Sequence, residues 1–414
     1  MWEKVTLGEI TKNLDGKRIP LNSAQRAKKA KQKLYPYIGA NNILEYIDEY
    51  IFDEKILCVA EDGGSWGAQE KCANIYNQKC WVNNHAHVLI ENGKANLEFL
   101  CFFLNYSNLN SHITGTTRGK LTRRALDSIK IPLPSLEDQI QIANLLSRAE
   151  TLIAKRKESI QLLDEYLKST FLDMFGNPVR NEKGWDVKFL GDLTNLITDG
   201  KHGNCVDDEE SGYYFISAKD INNGVIDYSN ARQILKEDFE EVHKRTNLMP
   251  NDVVVVNTGA TIGKTAIVKD DIKTRRTTFQ KSVAIIKVKQ EKLNSIYLKH
   301  LFILRIKDLS SNSYGSAVKN MLLSEMRKFK IPLPAFELQT QFAQIVEKVE
   351  KIKTKYQESL QELENLYVSL SQKAFKGELD LSKMEIKDYN LGHAEPGDPD
   401  SYREAAEEGV GYEK

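Results

Sequence analysis

The sequence predicts an α+β protein: two similar mixed α/β modules, each followed by a long helix. Three observations predict it. Residues 130–165 (KIPLPSLEDQIQIANLL…) return without a gap as residues 330–365 (KIPLPAFELQTQFAQIV…). The chain opens with WEKVTLGEI at residues 2–10 and restarts with WDVKFLGDL at 185–193. Both helical segments place apolar residues at alternating steps of four and three, the seam of a coiled coil. Two long copies do not make a solenoid, which stacks several short units. They make a protein of two similar halves, suited to a target that also has two halves.

The first module is expected over residues 1–134. Its segments YIGANNI (37–43), ILCVAEDGGSWG (56–67) and NNHAHVL (83–89) are echoed in the second module, 177–334, by FISAKDI (215–221), VVVVNTGATIG (253–263) and KSVAII (281–286). The offset between copies drifts from 178 to 200, so the modules differ by insertions, which sit in loops, where specificity is varied.

The first spacer helix is expected over 135–176. Pro132 and Pro134 block an earlier start. Ser135 suits the N-cap, with Glu137 and Asp138 in the first turn facing the positive end of the helix dipole. Ile142, Leu146, Ala149, Ile153, Ile160, Leu163 and Leu167 form the seam, and Gly176-Asn177-Pro178 ends it. The second helix, 335–376, repeats the pattern with Phe342, Val346, Val349, Tyr356, Leu360, Leu363, Tyr367 and Leu370. Arg156 and Lys353 interrupt the two seams at different places. At about 40 residues each helix is roughly 60 Å long. A seam this long wants a partner helix, and antiparallel pairing of the two copies predicts a pseudo-twofold dumbbell. The tail, 377–414, ends in a Pro-, Gly- and acid-rich stretch expected to be largely disordered.

Composition narrows the function. The 414 residues contain no apolar run near 18 residues, and the opening is no signal peptide. A cytoplasmic protein without a membrane span is expected. Five cysteines without a Cys-x-x-Cys pair suit a reducing compartment. Cys72, Cys80, His85 and His87 lie close in sequence, but the second module has no matching ligands, so no metal is expected. Net charge is zero, yet residues 391–414 hold seven acids against two bases, leaving residues 1–390 with five excess positive charges. Bases gather near residues 17–33, 118–124 and 269–281, a distribution that fits DNA contact on chosen faces.

Catalytic signatures are missing. GATIGKT at 259–265 has three residues where a nucleotide-binding P-loop needs four, and the equivalent GGSWG at 63–67 has no lysine. Both are better read as tight, exposed loops after a strand. No methyltransferase tetrapeptide, Gly-x-Gly-x-x-Gly, His-Glu-x-x-His or Gly-x-Ser-x-Gly occurs. The acid run 207–210 reads as a loop. Two divergent modules without a shared catalytic set argue for recognition.

The repeated KIPLPxxExQ helices, YPYIGANNI (35–43), NNHAHVL and DVVVVNTGATIGKTAIV (252–268) resemble the specificity subunits of type I restriction–modification enzymes, over residues 1 to about 380. The resemblance implies two target recognition domains reading the halves of a split, asymmetric DNA sequence, with the helices as an antiparallel spacer. It implies double-stranded DNA, two methyltransferase subunits and two restriction/translocase subunits as partners. S-adenosylmethionine, ATP and Mg are then expected in those partners and no cofactor or catalysis in this chain. No universal base-reading residue carries over. From side-chain chemistry the DNA contacts are expected at Gly63, Gly64, Arg118, Lys120, Arg123 and Arg124 in the first module, and at Thr261, Lys264, Arg275, Arg276, Lys281 and Lys319 in the second. Trp66 suits the core better than DNA. The rival readings are a P-loop-like ATPase around Lys264 and a coiled-coil adaptor that never touches nucleic acid.

Overall fold

The computed structural model describes residues 2–115, 117–311 and 321–381; Lys319 and the acidic tail lie outside them. Contacts divide the chain into two units, residues 1–153 with 362–414 and residues 154–361. Each unit therefore combines one module with part of each long helix, where the sequence sets the helices apart as segments of their own. No helix among the described residues is long and apolar enough to cross a membrane.

In the first unit, the strand Glu3–Thr6 pairs antiparallel with Lys130–Leu133. The repeated N-terminal motif thus closes on the repeated KIPL. Pro132 is tolerated because this ladder has only two strands. A four-stranded antiparallel sheet follows in the order Thr11–Asn13, Ala86–Glu91, Ile56–Ala60, Ala73–Tyr76. A three-stranded sheet, Ile43–Ile47, Tyr35–Ile38, Trp81–Val82, packs beside it. The strand Ile56–Ala60 is buried throughout. Its alternate residues face two cores: Leu57 and Val59 meet the helix Leu97–Tyr106 and the long helices, and Ile56 and Cys58 meet the second sheet.

The second unit repeats this plan. Asp186–Phe189 pairs with Lys330–Leu333. The four-stranded sheet runs Thr194–Asp199, Val283–Val288, Val253–Val256, Thr265–Ile267, and the smaller one Arg232–Gln233, Tyr214–Ile216, Thr277–Phe279. Val253 and Val255 face one core, Val254 and Val256 the other. The helix Lys236–Thr246 is the main insertion.

The long helices run Leu136–Phe175 and Phe336–Lys376. Ser135 caps the first through Asp138 N–H, at 3.1 Å, and Gly176 ends it at φ +74°, a conformation suited to glycine. Within the second unit the ring of Phe342 lies 5.5 Å from Phe175, Lys353 meets Asp164 at 2.5 Å, and Arg156 sits 4.4 Å over the Tyr356 ring. As one number falls the other rises, so these segments are antiparallel. Within the first unit Ile142 and Leu146 share a core with Ala374 and Phe375, and Tyr367 donates to Glu150 at 3.0 Å. Both charged interruptions of the seam thus have partners. Of the seam, Ile142, Leu146, Leu167, Phe342, Val346 and Val349 are buried. Ile153, Ile160, Leu163, Leu360, Leu363 and Leu370 are half-buried.

The identical glutamines of the repeat have one job in both copies. Gln139 Oε1 accepts from Asn96 N–H at 2.9 Å and its Nε2 donates to Pro134 O at 3.0 Å. Gln339 does the same with Asn294 N–H and Pro334 O, both at 2.9 Å. Both side chains are buried. Each therefore ties the start of the module's helix to the start of the long one. Gln139→Ala removes the partner of two backbone groups and Gln339→Ala of three, the third being Lys292 O at 3.3 Å, and either should cost about 1–3 kcal/mol. Thermal unfolding should report a drop of several degrees for either variant, and an unchanged midpoint would contradict the assignment.

Candidate nucleic-acid interface

At one end of each four-stranded sheet, four chain segments converge. In the first unit Glu61 N–H donates to His85 O at 2.9 Å and Leu121 N–H to Glu61 O at 2.7 Å. In the second, Asn257 N–H donates to Ser282 O at 2.9 Å and Met321 N–H to Asn257 O at 2.8 Å. Glu61 and Asn257 are therefore equivalent. The registers Asn13↔Leu89 and Ile197↔Ile286 then align residues 15–18, Asp-Gly-Lys-Arg, with residues 199–202, Asp-Gly-Lys-His. This repeat escaped the sequence reading because it is four residues long, at an offset of 184 among unlike neighbours.

The first edge holds a buried charge network. His87 Nδ1 lies 2.6 Å from Asp15 Oδ2, and its Nε2 2.8 Å from Leu121 O. Arg18 Nη1 donates to Glu61 Oε2 at 2.6 Å and to Ala86 O at 2.7 Å, and its Nη2 lies 3.4 Å from Asp15. Glu61 Oε1 holds Lys120 at 3.0 Å. Burial alone would push both carboxyls up. The hydrogen bond and charge of His87 hold Asp15 below its ordinary value, and Arg18 and Lys120 do the same for Glu61. Outside this layer a second one repeats it: His85 Nδ1 lies 2.7 Å from Asp62 Oδ1, which holds Arg118 Nη2 at 2.8 Å.

Asp15, Glu61 and His87 bring ligand atoms within 4.8 Å of one another, a spacing open to a metal ion. The guanidinium of Arg18 already stands between the two carboxylates, and both ring nitrogens of His87 are engaged. The network is a set of hydrogen-bonded ion pairs. Cys72 instead turns its thiol to Leu104 O, and Cys80 lies in the core, so the sequence's cysteine–histidine group does not assemble around His85 and His87.

The second edge uses the same turn differently. Asp199 holds Arg245 at 3.1 Å and His202 at 3.0 Å. Lys201 is held by Asp238 and Glu241 at 2.7 and 3.0 Å. A Cβ on Gly200 would lie 1.8 Å from Phe279 O, so only glycine fits this crossing. Asn257 is buried with its Oδ1 unpartnered among the described residues.

Of the residues expected from sequence, Gly63, Gly64, Arg118 and Lys120 come together at the first edge. The guanidinium of Arg118 lies against Gly63, whose φ is +65°. Arg123 and Arg124 sit exposed on the short helix Arg123–Asp127, where Arg123 faces its own Asp127 at 3.6 Å. At the second edge Thr261 is exposed, and Lys281 N–H donates to Lys201 O at 3.1 Å. Lys264 turns to Asn222 Oδ1 at 2.8 Å. Arg275 and Arg276 lie before the strand Thr277–Phe279, at its far end from Lys281, with Arg276 over the Tyr213 ring. Trp66 is core, donating to Ala60 O at 3.3 Å.

The loop that mimics a P-loop joins two antiparallel strands, Val253–Val256 and Thr265–Ile267. Gly263 N–H donates to Val256 O and Lys264 N–H to Thr261 O, and Gly263 is buried, not exposed as the sequence suggested. The amides of Ile262, Gly263 and Lys264 are spent within the hairpin, whereas a phosphate cradle turns successive amides to the ligand at a helix start.

The sequence profile of the family described as "Type I restriction modification DNA specificity domain" matches residues 1–163 and again 182–365. A putative type I restriction enzyme specificity subunit of Haemophilus influenzae is 32% identical over 149 residues; that match covers 36% of this chain and 37% of the relative. The type I restriction enzyme MjaVIII specificity subunit of Methanocaldococcus jannaschii is 26% identical over 401 residues, covering 89% of this chain and 91% of the relative. The crystal structure of an S subunit of a type I restriction–modification system from M. genitalium superposes with a TM-score of 0.57 at 14% identity, over 91% of this chain and 96% of that one, a likeness of fold.

Proposed function

Since the chain belongs to the type I restriction–modification DNA specificity family, we propose that it reads a split DNA sequence, one half with each unit. The observation that best supports this is the doubled profile match on two copies of one fold whose sheet ends carry different side chains: Glu61 and His87 in one, Asn257 and Ala284 in the other. Different edges read different half-sites, so the target is not palindromic. The long helices act as an antiparallel coiled-coil ruler that fixes the gap, giving the pseudo-twofold two-reader arrangement. Two methyltransferase subunits, and two ATP-dependent restriction/translocase subunits where the host has them, supply catalysis. S-adenosylmethionine, ATP and Mg belong to those subunits, and this chain is a non-catalytic reader.

The test is binding and methylation together. Co-produced with its methyltransferase partner, the chain should direct methylation to one bipartite sequence, and duplex binding should weaken steeply as salt rises. The chain by itself should not bind ATP. Methylation without a bipartite motif, or ATP held by the isolated chain, would replace this reading with the adaptor or the ATPase.

A further inference from the structure

Resting on that reading, we infer that Arg118 and Lys120 read base edges and are not phosphate contacts, each presented by a carboxylate that is itself held by a buried or half-buried cation or histidine. The two side chains are open to solvent, 63% and 49% exposed. Behind Arg118 stand Asp62 and then His85; behind Lys120 stand Glu61 and then Arg18. The strand carrying Lys120 is also gripped through its backbone, by His87 at Leu121 O and by the Leu121 N–H bond to Glu61 O.

Charge separates the two roles. Phosphate contacts draw on uncompensated positive charge and release counterions. Here the three cations Arg18, Arg118 and Lys120 are matched by Asp15, Glu61 and Asp62. The charge in excess of these pairs sits on His87, which is buried, so the exposed cations offer a polyanion little uncompensated charge. What it offers is N–H donors in fixed directions. With Nη2 on Asp62, Arg118 keeps Nε and Nη1, and Lys120 keeps two ammonium hydrogens. Directed donors on a rigid element suit the acceptor edge of guanine in the major groove.

Stability is a poor alternative explanation. Ion pairs with a largely exposed partner stabilise little. The second unit keeps the same backbone bonds with Asn257 for Glu61 and Ala284 for His87, so the fold does not demand the network. It is a property of the first reading edge.

The experiment uses the chain assembled with its methyltransferase partners. Methylated motifs are sequenced, and duplex affinity is measured across a salt series. Arg118→Ala and Lys120→Ala, both surface changes, should keep the unfolding midpoint. Each should cost about tenfold or more in discrimination at a G·C position of one half-site, with the other half and the gap unchanged. The slope of log affinity against log salt should shift by much less than the roughly one unit expected of a lost phosphate contact. Glu61→Gln, a change at a positioning residue, unmasks a cation. It should steepen that slope and strengthen non-specific binding while relaxing the same half-site. A slope shallower by about one with an intact motif for Arg118→Ala or Lys120→Ala would make them phosphate contacts and overturn the inference, as would no change in either property. A wild-type complex with no bipartite motif would instead sink the reading beneath it.

Discussion

Exchanging residues 177–329 for the matching segment of a relative changes one half of the methylated sequence completely and leaves the other half and the gap as they were. The cut points are physically favourable. Gly176, at φ +74°, ends the first long helix, so the foreign segment begins after a natural break. Its first strand, in the place of Asp186–Phe189, must pair with the retained Lys330–Leu333. That pairing is made by backbone groups, and the other copy of KIPL, Lys130–Leu133, pairs in the same way with a different strand, Glu3–Thr6, in the first unit. Gln339 must catch the N–H that Asn294 now offers, again a backbone group that any residue but proline supplies. The hydrogen bonds across the cuts therefore ask little of the incoming side chains; what the foreign module must match is the apolar face that Tyr297 and Leu301 turn to Phe171, Phe175 and Phe342, which a relative built on the same plan supplies. The readout is the methylated motif before and after exchange. If both halves change together, or the gap moves with the module, the units do not read independently.

How much of this was legible in the sequence depends on how far apart the interacting residues lie. The long helices were, because their end signals are local: Ser135 caps the first and Gly176 ends it. The two-module plan was legible from the repeat. The reading edge was legible only in part. Arg118 and Lys120 are expected from sequence as DNA contacts, with no sign of their partners Asp62 and Glu61, nearly 60 residues away. Such pairing follows from sheet register, which no local pattern reveals. The Asp-Gly-Lys-Arg/His turn was readable in principle, once the strands on either side were aligned. Arg275 and Arg276 were grouped with Lys281 by nearness in sequence, but a strand of about 3.3 Å per residue carries them away from it.

Lengthening both helices tests the ruler, and here the geometry sets a sharper expectation than simple loss. The insertion points are after Ile153 and after Gln361, where contacts divide the two units. A heptad in the first helix alone shifts its seam against a partner that has not moved. With Glu150 kept on Tyr367, it opposes Arg156 and Asp164 to the wrong residues of the second helix, and methylation should be lost. A heptad in both helices preserves the seam and adds about 10 Å, or about three base pairs at 3.4 Å each. Three base pairs also turn the duplex by about 100°, given 10–10.5 base pairs per turn. The second half-site is then at the right distance on the wrong face. Weak methylation at a gap longer by about three base pairs is expected, with both half-sites intact. Three heptads in each helix add about 32 Å, close to one helical turn of DNA, and should restore strong methylation at a gap longer by about nine base pairs. Methylation that stays at the original gap in the three-heptad variant would mean that the helices do not measure the DNA.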